Sequence, residues 1–264
     1  MSPRRRQLLT GMGGVALGML ASQQWAANVP HSQGPKPFYG GPDSAIRPDL
    51  SQPSASGERL FWRADTRERV IALTFDDGPM PDWTPKVLSA LADEEVRATF
   101  FLRGDHVVAH GDLHRASVGH HELGNHTYSH PDLSTLTYAR VTDEIARCTD
   151  AMTTAYGLAP TLFRPPYGHL GGSTVLAAAE ANLTTILWSA QFRESHYVQR
   201  PADIAAAVAR DVGPGTVVLG HDTGGATRLV AIDQLRAIIA RLRTDGYTFV
   251  TVSELLAIKA ERGQ

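Results

Sequence analysis

Two pairs of side chains in this 264-residue chain have the types and the spacing that metal chemistry requires. His126 and His130 lie at i and i+4, so on one helical turn they would share a face and could chelate one ion. Asp76 and Asp77 are adjacent, and neighbouring buried carboxylates persist mainly where a cation or an arginine compensates their repulsion. Two histidines and one aspartate form the ligand set of a catalytic zinc site, although the histidine pair alone also fits surface or capping residues.

Other hydrolase chemistries find no matching motif in the sequence. His121-Glu122 lacks the second histidine that a zincin helix needs four residues after the first, because Asn125 stands there. A G-x-S-x-G nucleophile elbow is absent. Cys148 is the only cysteine, which excludes an intramolecular disulfide and a cysteine-rich zinc module. Any metal ion must therefore be held by histidines and carboxylates.

The elements that must position these residues alternate regularly from about residue 67 onward. Apolar patterns predict seven strands, at 70–75, 98–102, 122–125, 161–164, 184–189, 216–220 and 247–252. They predict intervening helices at 83–95, 105–117, 137–156, 173–181, 202–211 and 228–244. Seven βα units imply an α/β fold with an all-parallel, barrel-like sheet. Sites in such barrels form at the carboxyl ends of the strands, which is where the candidate residues fall: Asp76, Asp77, His126, His130, Arg164, Tyr167 and His221.

The composition fits a folded domain. With 42% hydrophobic and 20% charged residues, the chain can build a sizeable core and is not biased toward disorder. The formal net charge is −2, and three of the basic residues are the arginines at 4–6, so the rest of the chain carries a more negative net charge. This charge argues against a nucleic-acid partner.

The first 27 residues are typical of an export signal. Arg4-Arg5-Arg6 precede Leu8-Leu9 and a weakly apolar run over 11–20, which is too short for the roughly 20 residues of a membrane span. The order resembles a twin-arginine signal, read by a receptor that exports folded proteins. A basic disordered N-terminus and an uncleaved anchor are the alternatives. Residues 28–66 indicate a linker or an N-terminal wrap, 67–258 the domain, and 259–264 a C-terminal tail.

Four motifs together resemble the polysaccharide deacetylases, the NodB homology domain of carbohydrate esterase family four. They are Thr74-Phe75-Asp76-Asp77-Gly78-Pro79, His126-Thr127-Tyr128-Ser129-His130, Arg164-Pro165-Pro166-Tyr167-Gly168 and Leu219-Gly220-His221, in the family's order. The resemblance implies a distorted (β/α)7 barrel, in agreement with the seven units counted above. It also implies that Asp77, His126 and His130 bind a metal ion, with Zn2+ expected and Co2+ or Ni2+ compatible with the same donors.

The resemblance further implies catalytic roles in removing an N-acetyl group from an amino sugar. Asp76 is the implied general base that deprotonates the attacking water, and Arg164 pairs with it. The backbone N–H of Tyr167 is the implied oxyanion donor, and His221 the implied general acid that protonates the leaving amine.

The remaining family motif, Asp-x-x-Asp-Trp, is missing. The expected place reads Gln191-Phe192-Arg193-Glu194-Ser195, where Glu194 could replace one carboxylate beside His221 and Phe192 or Tyr197 could supply an apolar wall. Asp222 is the alternative carboxylate partner of His221. Trp188, at a strand end, is expected in the core, with contact to substrate as the alternative.

These features predict an exported hydrolase of the extracellular space or cell envelope that acts as a monomer on peptidoglycan or a chitin-like glycan. No nucleic-acid partner and no stable membrane span are expected. A glycan-binding module with lost or weak turnover and an O-acetyl esterase acting on xylan are the alternatives.

Overall fold

A parallel sheet organises the part of the chain that the computed structural model describes, residues 60–258. Its strands are β1 (Leu60–Phe61), β2 (Val70–Asp76), β3 (Thr99–Leu102), β4 (Glu122–Asn125), β5 (Leu162–Phe163), β6 (Thr184–Ile186), β7 (Ala190–Gln191), β8 (Val217–His221) and β9 (Thr248–Phe249). The strand order is β1-β6-β5-β4-β3-β2-β8-β7, with β9 paired to β2. Every one of these strand pairs is parallel, as the alternating pattern predicts.

The sheet curls into a distorted barrel because the consecutive strands β6 and β7 lie toward opposite ends of the strand order. The segment predicted as a strand at 184–189 contains β6, which pairs with β5 and β1, and β7 follows directly after that segment and pairs with β8. Between them the Ser189 N–H donates to the Val217 carbonyl at 3.0 Å. The chain thus crosses from one end of the strand order to the other, and the predicted (β/α)7 barrel is confirmed in this distorted form.

Helices connect the strands on the outside of the sheet. They are α1 (Thr84–Asp93), α2 (Gly104–His110), α3 (Asp112–Arg115), α4 (Tyr138–Tyr156), α5 (Gly172–Glu180), α6 (Ile204–Asp211), α7 (Ala226–Asp233), α8 (Leu235–Thr244) and α9 (Val252–Ala257). The helix predicted at 228–244 is two helices, because α7 packs against the turn Glu194–Tyr197 while α8 packs against α6. The helix predicted at 105–117 also divides, at Gly111, whose lack of a side chain makes it a poor helix former.

Strand β2 shows how the core sets up the site. Ile71, Leu73 and Phe75 belong to the cluster that packs against the helices, whereas Val70 and Ala72 alternate onto the barrel interior. Continuing that inner face, Thr74 and Asp76 are also buried, at 0% and 3% exposure. Strand periodicity alone therefore points the Asp76 carboxylate into the barrel.

Most of the predictions for the two ends of the chain concern residues outside 60–258. The signal at 1–27, most of the linker or wrap at 28–66, and the tail at 259–264 lie outside the described residues. Within 60–258, the start of the chain pairs as β1 with β6, in the register Leu60 opposite Thr185. None of the helices in that range combines the length and the apolar character that crossing a bilayer requires.

The fold predicts a strong dependence on Leu73, which is 0% exposed. Leu73→Ala should lower the free energy of unfolding by about 2–5 kcal/mol, because it leaves a cavity between β2 and the helices. Leu158→Ala is the matched control, since Leu158 is 43% exposed and should change stability by no more than about 0.5 kcal/mol. Urea unfolding measures both changes, and equal losses in the two variants would contradict this account of the core.

Candidate active site

The candidate residues lie together at the carboxyl edge of the sheet. Asp76 and His221 end the neighbouring strands β2 and β8 and are directly paired in register. His126 follows β4, and Arg164 follows β5, the strand that pairs with β4. Parallel strands bring their carboxyl ends to the same edge, so the sequence prediction of one clustered site agrees with the geometry.

A fully buried arginine forms the floor of this site. Arg164 is 0% exposed, and its Nη1 donates to Asp76 Oδ1 at 2.6 Å. The guanidinium donates three further hydrogen bonds, to Thr74 Oγ1 at 2.8 Å, the Ile186 carbonyl at 3.2 Å and the Leu187 carbonyl at 3.3 Å. A buried ion pair is tolerated when extra hydrogen bonds satisfy its groups, as they do here. The pairing fixes the orientation of the Asp76 carboxylate.

The Nε2 atoms of the two candidate histidine ligands face one carboxylate oxygen of Asp77, the third candidate ligand. His130 Nε2 lies 3.2 Å from Asp77 Oδ1, and His126 Nε2 lies 3.5 Å from it. That oxygen is buried and accepts no hydrogen bond from any of residues 60–258. His126 Nδ1 lies 2.7 Å from the Arg164 carbonyl, which fixes the proton on Nδ1 and leaves the Nε2 lone pair free. An unsatisfied buried oxygen facing two imidazole nitrogens fits a divalent metal ion.

Backbone conformation, rather than a helical turn, brings the two histidines together. The expectation of a helical i, i+4 pair is wrong, because residues 126–131 form a loop in which Thr127 and His130 have φ of 66° and 61°. Asp77 and Tyr167 are left-handed as well, with φ of 79° and 61°. Such conformations cost about 1–3 kcal/mol for residues other than glycine, and they cluster at functional sites.

The pKa values of the two histidines show how burial and the neighbouring carboxylates act on this cluster. Burial, followed by the charge of His126, lowers the pKa of His130 to about 4, so that imidazole is neutral near pH 7. Burial also disfavours a charged His126, but Asp76 and then Asp77 raise its pKa above the ordinary value. The two carboxylates thus favour a positive charge at His126, where a proton and a metal ion compete.

His221 has a carboxylate partner, and it is Glu194. Glu194 Oε1 lies 3.2 Å from His221 Nδ1. Burial raises the pKa of Glu194, but the hydrogen bond and charge of His221 lower it to a net value below the ordinary one. The alternative partner, Asp222, points elsewhere: its Oδ2 accepts from Thr84 Oγ1 at 2.6 Å, and a Cβ on Gly78 would lie only 2.2 Å from that oxygen. Burial raises the pKa of Asp222 to about 7.

The aromatic side chains near the altered loop belong to the core. Phe192 is 2% exposed, and its ring packs 6.2 Å from that of Phe75, so it builds no wall of a substrate pocket. Trp188 is likewise buried, with the Arg164 guanidinium 5.7 Å from its ring, as the core prediction expects. Tyr197 is half-buried and also packs against the core. The loop therefore replaces only the carboxylate of the missing motif.

Tyr167 presents both its backbone and its ring to the site. Its N–H donates to no acceptor within residues 60–258, so it is available to an incoming oxygen. The ring is 57% exposed and stands 4.7 Å from the His130 ring. The Tyr167 ring also lies 5.6 Å from that of His169, whose Nδ1 is 2.9 Å from Asp132 Oδ2.

Two site residues escaped sequence reasoning, and both hold Asp77. Arg228 Nη1 donates to Asp77 Oδ2 at 2.7 Å, and His106 Nδ1 lies 2.7 Å from the Asp77 carbonyl oxygen. Neither belongs to one of the quoted motifs, and the contacts span 151 and 29 residues of sequence. Only the position of Arg228 shortly after His221 and a Gly224-Gly225 turn hinted at the cleft.

Comparisons with known proteins agree with this geometry. The family model for polysaccharide deacetylase matches residues 63–186. A peptidoglycan-N-acetylglucosamine deacetylase of Bacillus cereus is 35% identical over 193 residues, which cover 73% of this chain and 70% of that protein. A solved peptidoglycan N-acetylglucosamine deacetylase superposes with a TM-score of 0.71 at 33% identity, covering 77% of this chain and 95% of that one. A pseudoenzyme of family CE4 from Bacillus anthracis superposes with a TM-score of 0.68 at 25% identity, covering 80% and 72%.

The contact between Glu194 and His221 predicts a pH effect. Glu194→Gln keeps the shape of the side chain but removes the negative charge that lies 3.2 Å from His221 Nδ1. If His221 is the proton donor, the alkaline limb of the profile of acetate-release rate against pH should move to lower pH. The rate measured across the pH range tests this shift.

Asp222→Asn is the control for that experiment, because Asp222 faces Thr84 and not His221. Its alkaline limb should coincide with that of the wild type. A limb that moves in Asp222→Asn, or stays in place in Glu194→Gln, would show that Glu194 does not support the acid.

Proposed function

The chain belongs to the polysaccharide deacetylase family, and we propose that it is an exported, metal-dependent enzyme that removes N-acetyl groups from the amino sugars of peptidoglycan. The observation that carries the proposal is the buried Asp77 Oδ1 facing the Nε2 atoms of His126 and His130. The similarity to peptidoglycan deacetylases supports the choice of substrate. Zn2+ is the proposed ion, since two histidines and one carboxylate with open positions suit it.

Each residue of the site then has a step in amide hydrolysis. Asp77, His126 and His130 would hold a divalent ion, which would supply Lewis acidity toward the acetyl carbonyl and water. Asp76, oriented by Arg164, accepts the proton of the attacking water. The Tyr167 N–H donates a hydrogen bond to the carbonyl oxygen as negative charge develops there.

The leaving nitrogen must receive a proton before the bond to carbon breaks, because an amide anion is a poor leaving group. His221 supplies that proton from the β8 edge of the site. Glu194 keeps its imidazole oriented, so the altered loop still supplies a carboxylate beside His221. This contact favours a turnover-competent enzyme over a glycan-binding module.

Two variants separate the roles of ligand and base. His126→Ala should lose the bound zinc and its activity, because one of three protein donors is removed. Asp76→Asn should keep the zinc and lose at least about 100-fold in the rate of acetate release, since only the proton acceptor is lost. Metal analysis and acetate release from peptidoglycan, N-acetylglucosamine oligomers and acetylated xylan measure these effects.

His120→Ala provides a matched control, because His120 is exposed and precedes β4 at the opposite edge of the sheet. It should bind zinc and release acetate as the wild type does. Full zinc content in His126→Ala would contradict the ligand assignment. A wild type that binds peptidoglycan without releasing acetate would favour the binding module, and release from xylan alone would favour the esterase.

Export by the twin-arginine route is the second part of the proposal. It rests on Arg5-Arg6 and the weakly apolar run that follows. Arg5→Lys/Arg6→Lys keeps the charge but should block export, because lysine lacks the guanidinium geometry. Fractionation of producing cells measures it, with Arg4→Lys as the control that keeps the arginine pair. Unimpaired export of the double variant would contradict this route.

A further inference from the structure

The two carboxylate oxygens of Asp77 have different environments. Oδ1 faces the Nε2 atoms of His126 and His130 and accepts no hydrogen bond from residues 60–258. Oδ2 accepts a charge-assisted hydrogen bond from Arg228 Nη1 at 2.7 Å. The carboxylate is thus divided between an open position and an occupied one.

Arg228 is itself held in a defined position. Its Nη1 also donates to the Thr223 carbonyl at 3.2 Å, which anchors the guanidinium to the loop between β8 and α7. Gly224 lies against the stem of the side chain, with φ of 124°, and a Cβ there would lie 2.6 Å from Arg228 Cδ. Backbone space at Gly224 and a backbone acceptor at Thr223 therefore determine where the guanidinium lies.

The ion pair is more than a surface contact. Exposed ion pairs contribute at most about 1 kcal/mol, but the Asp77 side chain is only 11% exposed, against 32% for Arg228. On the other side of the residue, His106 Nδ1 binds the Asp77 carbonyl at 2.7 Å and supports its left-handed backbone. Asp77 is consequently fixed at its backbone and at one oxygen, and only Oδ1 is left for another partner.

We infer that Arg228 is a positioning residue that restricts Asp77 to one oxygen as a metal ligand. The inference rests on the proposed metal site and goes beyond it, because it assigns a role to a residue outside the quoted motifs. By occupying Oδ2, Arg228 prevents Asp77 from offering both oxygens to the ion. It thereby keeps a coordination position open for the substrate and the attacking water, which a catalytic zinc site needs.

Cobalt substitution tests the inference through the metal itself. The full chain is loaded with Co2+, and its visible absorption, which depends on coordination number and geometry, is recorded for the wild type and for Arg228→Met. The band of Arg228→Met should differ in position or intensity, because Asp77 Oδ2 is released. Arg228→Lys should restore much of the wild-type spectrum, since an ammonium can still donate to Oδ2. The kcat of Arg228→Met should fall more than its KM rises.

Arg236→Met is the matched control. Arg236 lies on α8 and forms an ion pair with Asp93 of α1, so this substitution should leave the spectrum unchanged. Gly224→Ala is an independent second variant: it alters no polar side chain but displaces the Arg228 stem, so its spectrum should shift as that of Arg228→Met does. Circular dichroism spectra of all variants should match that of the wild type if each variant is folded.

The possible outcomes separate this inference from the proposed function. Superimposable spectra of wild type, Arg228→Met and Gly224→Ala would overturn the role of Arg228 while leaving the metal site intact. Loss of cobalt binding in Arg228→Met would also overturn it, since Arg228 would then be needed for binding itself. A wild type without a cobalt band would overturn the metal site and this inference together.

Discussion

The buried side chain of Arg164 is the constraint on which the rest of the site depends. It places a positive charge inside the barrel, where an unpaired charge would be very costly. Neighbouring elements compensate that charge. Asp76 of β2 is the counter-ion, and the backbone carbonyls of Ile186 and Leu187 accept further hydrogen bonds from the guanidinium. The backbone carbonyl of the same residue accepts from His126 Nδ1 at 2.7 Å. One residue therefore orients both the proposed base and a proposed ligand.

Specific polar contacts hold the strained backbone of the nearby loops. Asp77 and His130 occupy left-handed conformations, which are unfavourable for residues with a Cβ. Asp77 is held by its bonds to Arg228 and His106, and the His130 N–H bonds to Thr127 Oγ1 at 3.1 Å. Stability in these loops comes from specific polar contacts rather than from apolar packing. These contacts preorganise Asp77 and His130 for the proposed metal ion.

Sequence reasoning located the site because strand ends follow from local patterns. The apolar run at 70–75 predicted β2, and its end placed Asp76 at the carboxyl edge. It also identified Glu194 as a replacement carboxylate, which the 3.2 Å contact with His221 supports. It was wrong about a helical turn at 126–130, and it missed Arg228. Left-handed loop residues and the contact between Asp77 and Arg228, 151 residues apart, depend on tertiary packing. Residue spacing along the chain does not predict them.

The unequal environments of the two Asp77 oxygens are the central feature of the proposed metal site. The most direct measurement is a crystal structure of the protein grown with Zn2+, with anomalous diffraction data collected at the zinc edge. The account predicts one strong peak about 2.0–2.2 Å from Asp77 Oδ1 and from the Nε2 atoms of His126 and His130, with Oδ2 still bound to Arg228. A peak at another place, or an ion bound through both oxygens of Asp77 with Arg228 displaced, would contradict it.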